Sequence, residues 1–161
     1  MLEWTDMKAL DDVDLLLVAS ASGIRAIQFD LHPIPESQRN DGNPLLLEAA
    51  RQLQAYFAGQ LREFQLPLDI EGTDFQKRVW RQVAAIPYGE TRSYLQIATA
   101  IGSPGSVRAV GTANGANPVP IVVPCHRVIG AKGNLVGYGG GLAMKKRLLE
   151  LEGARALPLA L

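Results

Sequence analysis

Cysteine is almost absent from this sequence: among 161 residues there is one, Cys125. A single cysteine cannot form an intramolecular disulfide, and a closed zinc site built from thiolates needs four of them. We therefore expect no structural metal. Two interpretations of Cys125 remain, a small buried side chain or a nucleophile, because free cysteine is among the most buried residue types and its thiolate is a strong nucleophile.

Long apolar runs are also missing. No run approaches the roughly 20 residues of a membrane-spanning helix, so we expect no membrane partner. The first residues, Met1–Asp6, lack the basic region and apolar region of a secretory signal. Without disulfides that need an oxidising compartment, the protein is expected in the cytoplasm. The length suffices for one large domain or two small ones with a buried core.

Net charge is zero, but the charge is unevenly distributed along the chain. Residues 1–70 carry five Lys/Arg and eleven Asp/Glu, a balance of −6, whereas residues 71–161 carry eleven and five, a balance of +6. Such asymmetry indicates an acidic module joined to one that meets a polyanion. Ordinary variation over a surface is the alternative. We predict two modules, residues 1–70 and 71–161.

The first module has the pattern of a small sheet with one helix. Apolar runs at 14–19 and 24–29 flank turn residues and predict a hairpin. Residues 32–43 are polar, include two prolines and predict a loop. Asn43 before a proline predicts the start of a helix, and Gly59 its end. No residue of this module has obvious chemistry.

The second module has the pattern of several short helices. Capping boxes that begin at Thr73 and at Ser93 predict two helix starts. A tight turn at 102–105 and a third helix at 106–114 follow. Two short helices joined by a glycine-containing turn are typical of a helix-turn-helix. Small residues on its second helix favour close approach to a groove, although they also serve close packing in a core.

Cys125 lies between an apolar stretch, 118–123, and His126. The stretch predicts a buried strand that holds the thiol rigidly. A thiol is only a few per cent thiolate at neutral pH and needs a base. Neighbours on a strand point to opposite faces, so His126 would need a bridging water or a turn after Cys125. Glu152 or Glu150 could orient the imidazole; the alternative is a solvated Glu152 and a histidine that only caps a strand.

Several motifs of the second half occur in a characteristic order. They lie within 75–80, 86–94, 107–111, 117–130 and 137–153, and the most specific is Pro124-Cys125-His126-Arg127-Val128. Together they closely resemble the O6-alkylguanine-DNA alkyltransferases, also called methylated-DNA–protein-cysteine methyltransferases. The resemblance covers about half of the chain in order. Residues 56–59 also resemble the N-terminal helix of that family.

The resemblance implies an α/β protein. Its first module would be a small sheet plus helix of the ribonuclease-H-like type, followed by a mostly helical, winged-helix-like module. It implies direct repair of O6-alkylguanine in double-stranded DNA, with activity on O4-alkylthymine left open. The damaged base would be flipped out, and its alkyl group would pass to Cys125. Because the thioether is stable, each monomer would act once and need no cofactor.

The resemblance also implies roles for catalytic residues. His126 would deprotonate Cys125 through a water molecule, and Glu152 would orient the imidazole. Tyr94 would donate a hydrogen bond or proton to N3 of the guanine, which neutralises developing charge on the leaving group. Asn117 would brace the turn that leads to the cysteine.

The implied substrate pocket contains Val128, Tyr138, Gly139 and Lys145. Backbone N–H groups near Tyr138 and Gly139 would face O6, while the carbonyls of Cys125 and Val128 would read the exocyclic amine. Lys145 would support the loop. Gly139 stands where some relatives have serine, which gives the hypothesis that the opened pocket accepts bulkier alkyl groups.

The implied DNA contacts are on the predicted helix-turn-helix. Arg108 would enter the base stack where the damaged base has left, and Tyr94 would press on its phosphate. The other predicted contacts are Ser93, Ala109, Thr112 and Ala113. A helix with small residues and an inserted wedge suits the minor groove, where readout is nearly blind to sequence.

Two other functions fit parts of the sequence. A DNA-binding regulator with a redox- or alkylation-sensing Cys125 would form a reversible sulfenic acid or an intermolecular disulfide. A Cys-His hydrolase would turn over repeatedly. The placement of Arg108 and Tyr94 suits the binding of a flipped base. It suits less well the recognition of a promoter by a regulator or the binding of an ester by a hydrolase. A single cysteine also excludes the second, phosphotriester-accepting cysteine of some fused relatives.

Overall fold

A computed structural model describes residues 1–154, and the chain forms two compact units. The first unit comprises Met1–Glu71 and the second begins at Gly72. The division falls next to the change in charge balance near residue 70. Within residues 1–154, no helix is both long and apolar enough to cross a membrane.

The first unit contains a four-stranded sheet in the order β3-β2-β1-β4. Its strands are β1 (Leu2–Leu10), β2 (Val13–Ala19), β3 (Ile24–Gln28) and β4 (Ser37–Arg39). The predicted hairpin is confirmed as the antiparallel pair of β2 and β3. The loop predicted at 32–43 is wrong in part, because β4 pairs with β1 in parallel at the edge of the sheet. An edge strand pairs on one side only, so this polar segment needs no apolar pattern.

Helix α1 (Pro44–Phe57) follows the sheet and packs against β1 and β2. The side chain of Asn43 accepts hydrogen bonds from the amides of Leu45 and Leu46, at 2.9 and 3.1 Å, which confirms the predicted start. The helix ends at Phe57, and Gly59 adopts a positive φ of 75° just beyond it.

The second unit is mainly helical. Its helices are α2 (Asp74–Ala84), α3 (Tyr94–Ala100), α4 (Val107–Gly115) and α5 (Leu142–Leu151), and its short strands β5 (Arg92–Ser93) and β6 (Val128–Ile129) pair in parallel. Both predicted capping boxes are present, at the starts of α2 and α3. Helices α2, α3 and α4 pack against one another. The predicted class, a sheet-plus-helix module followed by a helical module, is confirmed.

The strand predicted before the cysteine is absent. Residues 118–123 contain one isolated bridge, between Pro120 and Val123, and Ile121 has a φ of 74°, which strands do not tolerate. The two prolines of this stretch have no N–H for a ladder, which explains the difference. The predicted burial is right, because Val119, Ile121 and Val123 are all in the core.

Candidate active site

Cys125 begins a 3₁₀ turn that comprises Cys125–Arg127, and its side chain is buried. Asn117 braces the approach to this turn: its Nδ2 donates to the Val123 carbonyl at 2.8 Å, and its Oδ1 accepts from the Val119 amide at 3.0 Å. The turn is the local geometry that lets two consecutive side chains, Cys125 and His126, serve one site, since a strand would separate them.

Burial dominates the electrostatics of the thiol. It raises the pKa of Cys125 above the ordinary value, while a hydrogen bond from Asn117 and the positive charge of Lys145 oppose that rise. The thiol is therefore protonated at neutral pH. A reaction through the thiolate needs a base in the site.

His126 and Glu152 form a fully buried pair. The Nε2 atom of His126 lies 2.7 Å from Oε2 of Glu152, and neither side chain is exposed. A carboxylate only accepts, so Nε2 carries the hydrogen and Nδ1 carries the lone pair. Nδ1 is buried and has no hydrogen-bond partner among residues 1–154. Burial lowers the pKa of His126, against the opposing effect of Glu152, so the imidazole is neutral and can accept a proton at Nδ1.

Arg127 completes this buried cluster. Its Nε donates to Oε1 of Glu152 at 2.8 Å and its Nη2 donates to Oε2 at 2.9 Å, while Nη1 donates to the Ile86 carbonyl at 2.7 Å. The two-point contact holds the carboxylate in one orientation toward His126. Arg127 is part of the sequence motif, but no role was predicted for it. Its position next to His126 in the sequence could have indicated that it belongs to the site.

Tyr94 and Lys145 meet at the backbone of the glycine-rich loop. The Tyr94 hydroxyl donates to the Val136 carbonyl at 3.0 Å, and Nζ of Lys145 donates to the same oxygen at 2.7 Å. Nζ also lies 5.9 Å from the centre of the Tyr94 ring. Burial lowers the pKa of Lys145 to about 8, with the Cys125 charge opposing. Both side chains therefore fix the loop that follows Leu135.

The remaining pocket residues predicted from the resemblance lie around the cysteine turn and the loop. Val128 is buried, and its amide donates to the Cys125 carbonyl. The Tyr138 ring meets the His126 ring edge to face, with centroids 6.5 Å apart. Gly139 is exposed, and a Cβ built there would meet no atom within 4 Å. Burial raises the pKa of Tyr138 well above the ordinary value, so its hydroxyl keeps its proton.

Helix α4 exposes three of the residues predicted to contact DNA, Arg108, Ala109 and Thr112. Ala113 contradicts the prediction, because it is 2% exposed and its side chain faces the core. Its carbonyl accepts a hydrogen bond from Nε1 of Trp80 at 2.8 Å, which ties this part of α4 to α2. The helical period explains the error. The small residues of α4 lie on all sides of the helix, whereas only one face of a helix can contact a DNA groove.

Ser93 has the capping position predicted for it, whereas Asn114 makes a contact that was not predicted. The Ser93 hydroxyl accepts from the Gln96 amide at 3.1 Å and so caps α3. Asn114 had no predicted role, yet it is buried in α4 and its Nδ2 donates to the Cys125 carbonyl at 3.2 Å. The sequence places an asparagine on the inner face of a helix, and a buried amide requires hydrogen-bond partners. This pattern could have predicted that Asn114 has a structural contact.

Possible metal ligands do not cluster in the described part of the chain. Within residues 1–154, no group of three or more His, Cys, Asp or Glu side chains is arranged to hold a metal ion. The site instead combines a thiol, an imidazole, a carboxylate, a guanidinium and a phenol. Such a set can hold a proton at a chosen atom and activate a sulfur nucleophile.

Comparisons with known proteins agree over both units. The family model described as "6-O-methylguanine DNA methyltransferase, ribonuclease-like domain" matches residues 14–70, and the one described as "6-O-methylguanine DNA methyltransferase, DNA binding domain" matches residues 74–154. A Mycobacterium tuberculosis protein named methylated-DNA–protein-cysteine methyltransferase is 65% identical over 108 residues, which are 67% of this chain and 66% of that protein. One of the same name from Methanosarcina acetivorans is 49% identical over 144 residues, covering 87% and 92%.

Solved structures give the same result over nearly the whole chain. The crystal structure of the M. tuberculosis O6-methylguanine methyltransferase has a TM-score of 0.86 and 47% identity, covering 99% of this chain and 97% of that one. The M. tuberculosis OGT in complex with DNA has a TM-score of 0.85 and 46% identity, covering 97% and 96%. Family models span most of both units, and a relative is aligned over almost its full length. This chain belongs to the 6-O-methylguanine DNA methyltransferase family.

Proposed function

We propose that this protein repairs DNA by transferring the alkyl group of O6-alkylguanine to Cys125, once and irreversibly. The observation that carries the proposal is the buried His126–Glu152 pair, which leaves the Nδ1 lone pair available beside the cysteine turn. The names of the relatives agree with it. A cytoplasmic location belongs to the proposal, because a lone acceptor thiol must stay reduced.

The unit that begins at Gly72 binds the DNA and accepts the alkyl group in this proposal. The exposed face of α4 enters the minor groove, and Arg108 fills the stack where the damaged base leaves. Ala109 and Thr112 flank Arg108 on the same exposed face. One monomer suffices, because the thiol and its buried partners all come from one chain.

The proton of Cys125 passes through a bridging water to Nδ1 of His126 during attack. Glu152 already accepts from Nε2, so its negative charge stabilises the imidazolium that forms. Arg127 holds that carboxylate in place through two hydrogen bonds. The thiolate needed for attack thus arises inside the site, although burial favours the protonated thiol in the resting protein.

The sulfur then displaces guanine in line. The bond between sulfur and the alkyl carbon forms as the bond from that carbon to O6 breaks, and its electron pair passes to the guanine ring. The Tyr94 hydroxyl leaves the Val136 carbonyl, donates to N3 and so meets the developing charge. Backbone N–H groups near Gly139 face O6. The guanine anion takes up one proton from solvent, which restores guanine, while the His126 imidazolium releases the proton it took from Cys125. The thioether remains on the protein.

Intact mass spectrometry tests this function directly. The protein is mixed with a duplex that contains one O6-methylguanine and, separately, with an undamaged duplex. We expect a gain of one methyl in place of one proton, one per molecule, mapped to Cys125 by peptide digestion. Cys125→Ala should bind the same duplex and gain nothing. No gain by folded wild-type protein that binds the duplex would refute the proposal.

A further inference from the structure

The side-chain amide of Asn114 joins the cysteine turn to Tyr94. Asn114 is 4% exposed, and its Nδ2 donates to the Cys125 carbonyl at 3.2 Å. Burial raises the pKa of Tyr94, and a hydrogen bond from the Asn114 side chain opposes that rise. Only a donor favours the phenolate, so an amide N–H faces the phenol oxygen. The NH₂ group has two hydrogens and can serve both partners.

Packing against α4 places the Tyr94 ring in the same neighbourhood. A Cβ built on Gly111 would lie 3.8 Å from Cδ1 of the Tyr94 ring. Asn114 follows Gly111 by three positions in α4, and residues at that spacing are neighbours on one face of a helix. The position of the ring and the contact with the Cys125 carbonyl therefore both put the Asn114 amide between the phenol and the cysteine turn.

The Tyr94 hydroxyl can turn toward a substrate without leaving a polar group unpaired. It donates to the Val136 carbonyl at 3.0 Å and accepts from Asn114. The same carbonyl accepts from Nζ of Lys145 at 2.7 Å. When the O–H turns away, Lys145 keeps the carbonyl paired, and the Asn114 N–H keeps the phenol oxygen in place. Only the O–H bond has to change direction.

We propose that Asn114 is a positioning residue for Tyr94: its amide N–H holds the phenol oxygen while the O–H donates to N3 of the flipped guanine. This inference rests on the proposed function, in which Tyr94 donates to N3. A hydroxyl that accepts a hydrogen bond is also a stronger donor, because hydrogen bonds in a chain polarise one another. Asn114 therefore strengthens the contact that meets the developing charge on the leaving group.

A substrate without N3 tests this role. Transfer rates at saturating protein are measured for duplexes with O6-methylguanine and with O6-methyl-3-deazaguanine, in which a C–H group replaces N3 and cannot accept. Wild type is compared with Asn114→Leu, because leucine keeps the branched shape of asparagine and has no N–H. Dividing the guanine-to-deazaguanine rate ratio of wild type by that of the variant cancels the intrinsic reactivity of the two bases. We expect a quotient of about five, the effect of one hydrogen bond of ordinary strength.

Control variants set the scale of this quotient. Tyr94→Phe removes the donor itself and should give a larger quotient, which the addition of Asn114→Leu should leave unchanged. Asn117→Leu removes the other amide that supports the cysteine turn, so it should slow both substrates equally and give a quotient of one. Alanine replaces leucine at either asparagine if thermal melts show that the leucine variant does not fold.

The outcomes separate the inference from the proposed function. A quotient of one for Asn114→Leu, beside a large quotient for Tyr94→Phe, would mean that Asn114 only supports the cysteine turn, and would overturn the inference. A quotient of one for both variants would show that Tyr94 does not act at N3, which overturns the inference while transfer itself persists. Absence of transfer from O6-methylguanine to the wild-type protein would instead overturn the proposed function.

Discussion

Nε2 of His126 and Oε2 of Glu152 are 2.7 Å apart inside the protein, with both side chains fully buried. The contact fixes the tautomer of the imidazole, so the proton-accepting nitrogen is Nδ1. It also binds the last turn of α5 to the cysteine turn, since Glu152 directly follows that helix. One interaction therefore serves both the chemistry and the fold, and its loss should be visible in both.

Glu152→Gln should slow alkyl transfer by about a hundredfold, because the amide supports the imidazolium less well than a carboxylate. The same change leaves Arg127 buried without its anion, and we expect the free energy of unfolding to fall by about 3 kcal/mol. Single-turnover rates and urea denaturation measure the two effects. A variant with full activity would show that Glu152 has no part in activating the base.

Glu150→Gln is the matched control for that variant. Glu150 is on α5, its side chain is 54% exposed, and its contact with Lys146 is a long 3.8 Å. Exposed pairs of this kind contribute at most about 0.5 kcal/mol. We expect unchanged transfer and nearly unchanged stability, which would assign the losses in Glu152→Gln to the buried position.

Local signals in the sequence predicted most helix starts. Asn43, Thr73 and Ser93 each cap a helix as predicted, because capping depends on residues within one turn. Strand β1 was missed although its burial alternates in part, and β4 was missed because an edge strand of three polar residues has no apolar pattern. Strand pairing depends on partners far away in the sequence, which a local pattern does not contain.

Side-chain contacts in the site were also difficult to predict from local sequence patterns. Spacing alone left Glu152 and Glu150 as alternatives for orienting His126, and the resemblance was needed to choose between them. The His126–Glu152 contact joins residues 26 positions apart in the sequence, so the periodicity of a helix or a strand cannot predict it. Asn114 was missed because its contact is with the turn at Cys125, and the sequence left that turn as one of two alternatives.

Lys145 should make the stability of the protein depend on alkaline pH. Its pKa is about 8 in the folded protein and near 10.5 when exposed. Between these values the unfolded chain binds more protons, so this group adds stability as pH rises through the window, and its burial penalty is complete below pH 8. The difference in unfolding free energy between wild type and Lys145→Met should therefore rise from pH 8 to 10.5.

Lys146→Met provides the comparison, because Lys146 is the next residue and its side chain is 37% exposed. It removes an exposed charge from the same helix, so its curve is the baseline for the Lys145→Met curve. Denaturation of the three proteins in one buffer series measures both curves. A Lys145→Met curve that does not rise above this baseline would contradict the assignment of a lowered pKa to the buried lysine.

A larger side chain should lower the stability of the protein on the buried face of α4 and leave stability nearly unchanged on the exposed face. Ala113→Leu overpacks the buried face against Trp80 and should cost about 1–3 kcal/mol of stability. Ala109→Leu lies on the exposed face and should change stability by less than about 0.5 kcal/mol, yet weaken duplex binding. Thermal melts and fluorescence anisotropy separate the two. Equal losses of stability would refute this division of the helix.

Gly139→Ser should fold normally, since an added Cβ meets no atom within 4 Å and the φ of Gly139 is not in the left-handed region. On the hypothesis that glycine opens the pocket, serine should slow transfer from O6-benzylguanine more than from O6-methylguanine. Both rates are measured in the same duplex for both proteins. The same benzyl-to-methyl ratio in variant and parent would remove the hypothesis.

Arg108→Ala should slow repair in duplex DNA far more than reaction with free O6-benzylguanine. Arg108 is exposed near the start of α4, away from the buried groups that activate the thiol. Only a substrate that must leave a base stack needs a side chain to fill the gap. We expect the transfer rate to fall at least tenfold with the duplex, because unstacking a base costs a few kcal/mol. The rate with the free base should not change.

Lys132→Ala removes one exposed positive charge from the same unit without touching α4. It should lower duplex affinity slightly, through phosphate attraction alone, and leave the ratio of duplex to free-base rates as in wild type. If Arg108→Ala behaves like Lys132→Ala, the guanidinium contributes charge and no wedge. Equal slowing on duplex and free base would instead place Arg108 in the pocket itself, because a free base makes no demand on base flipping.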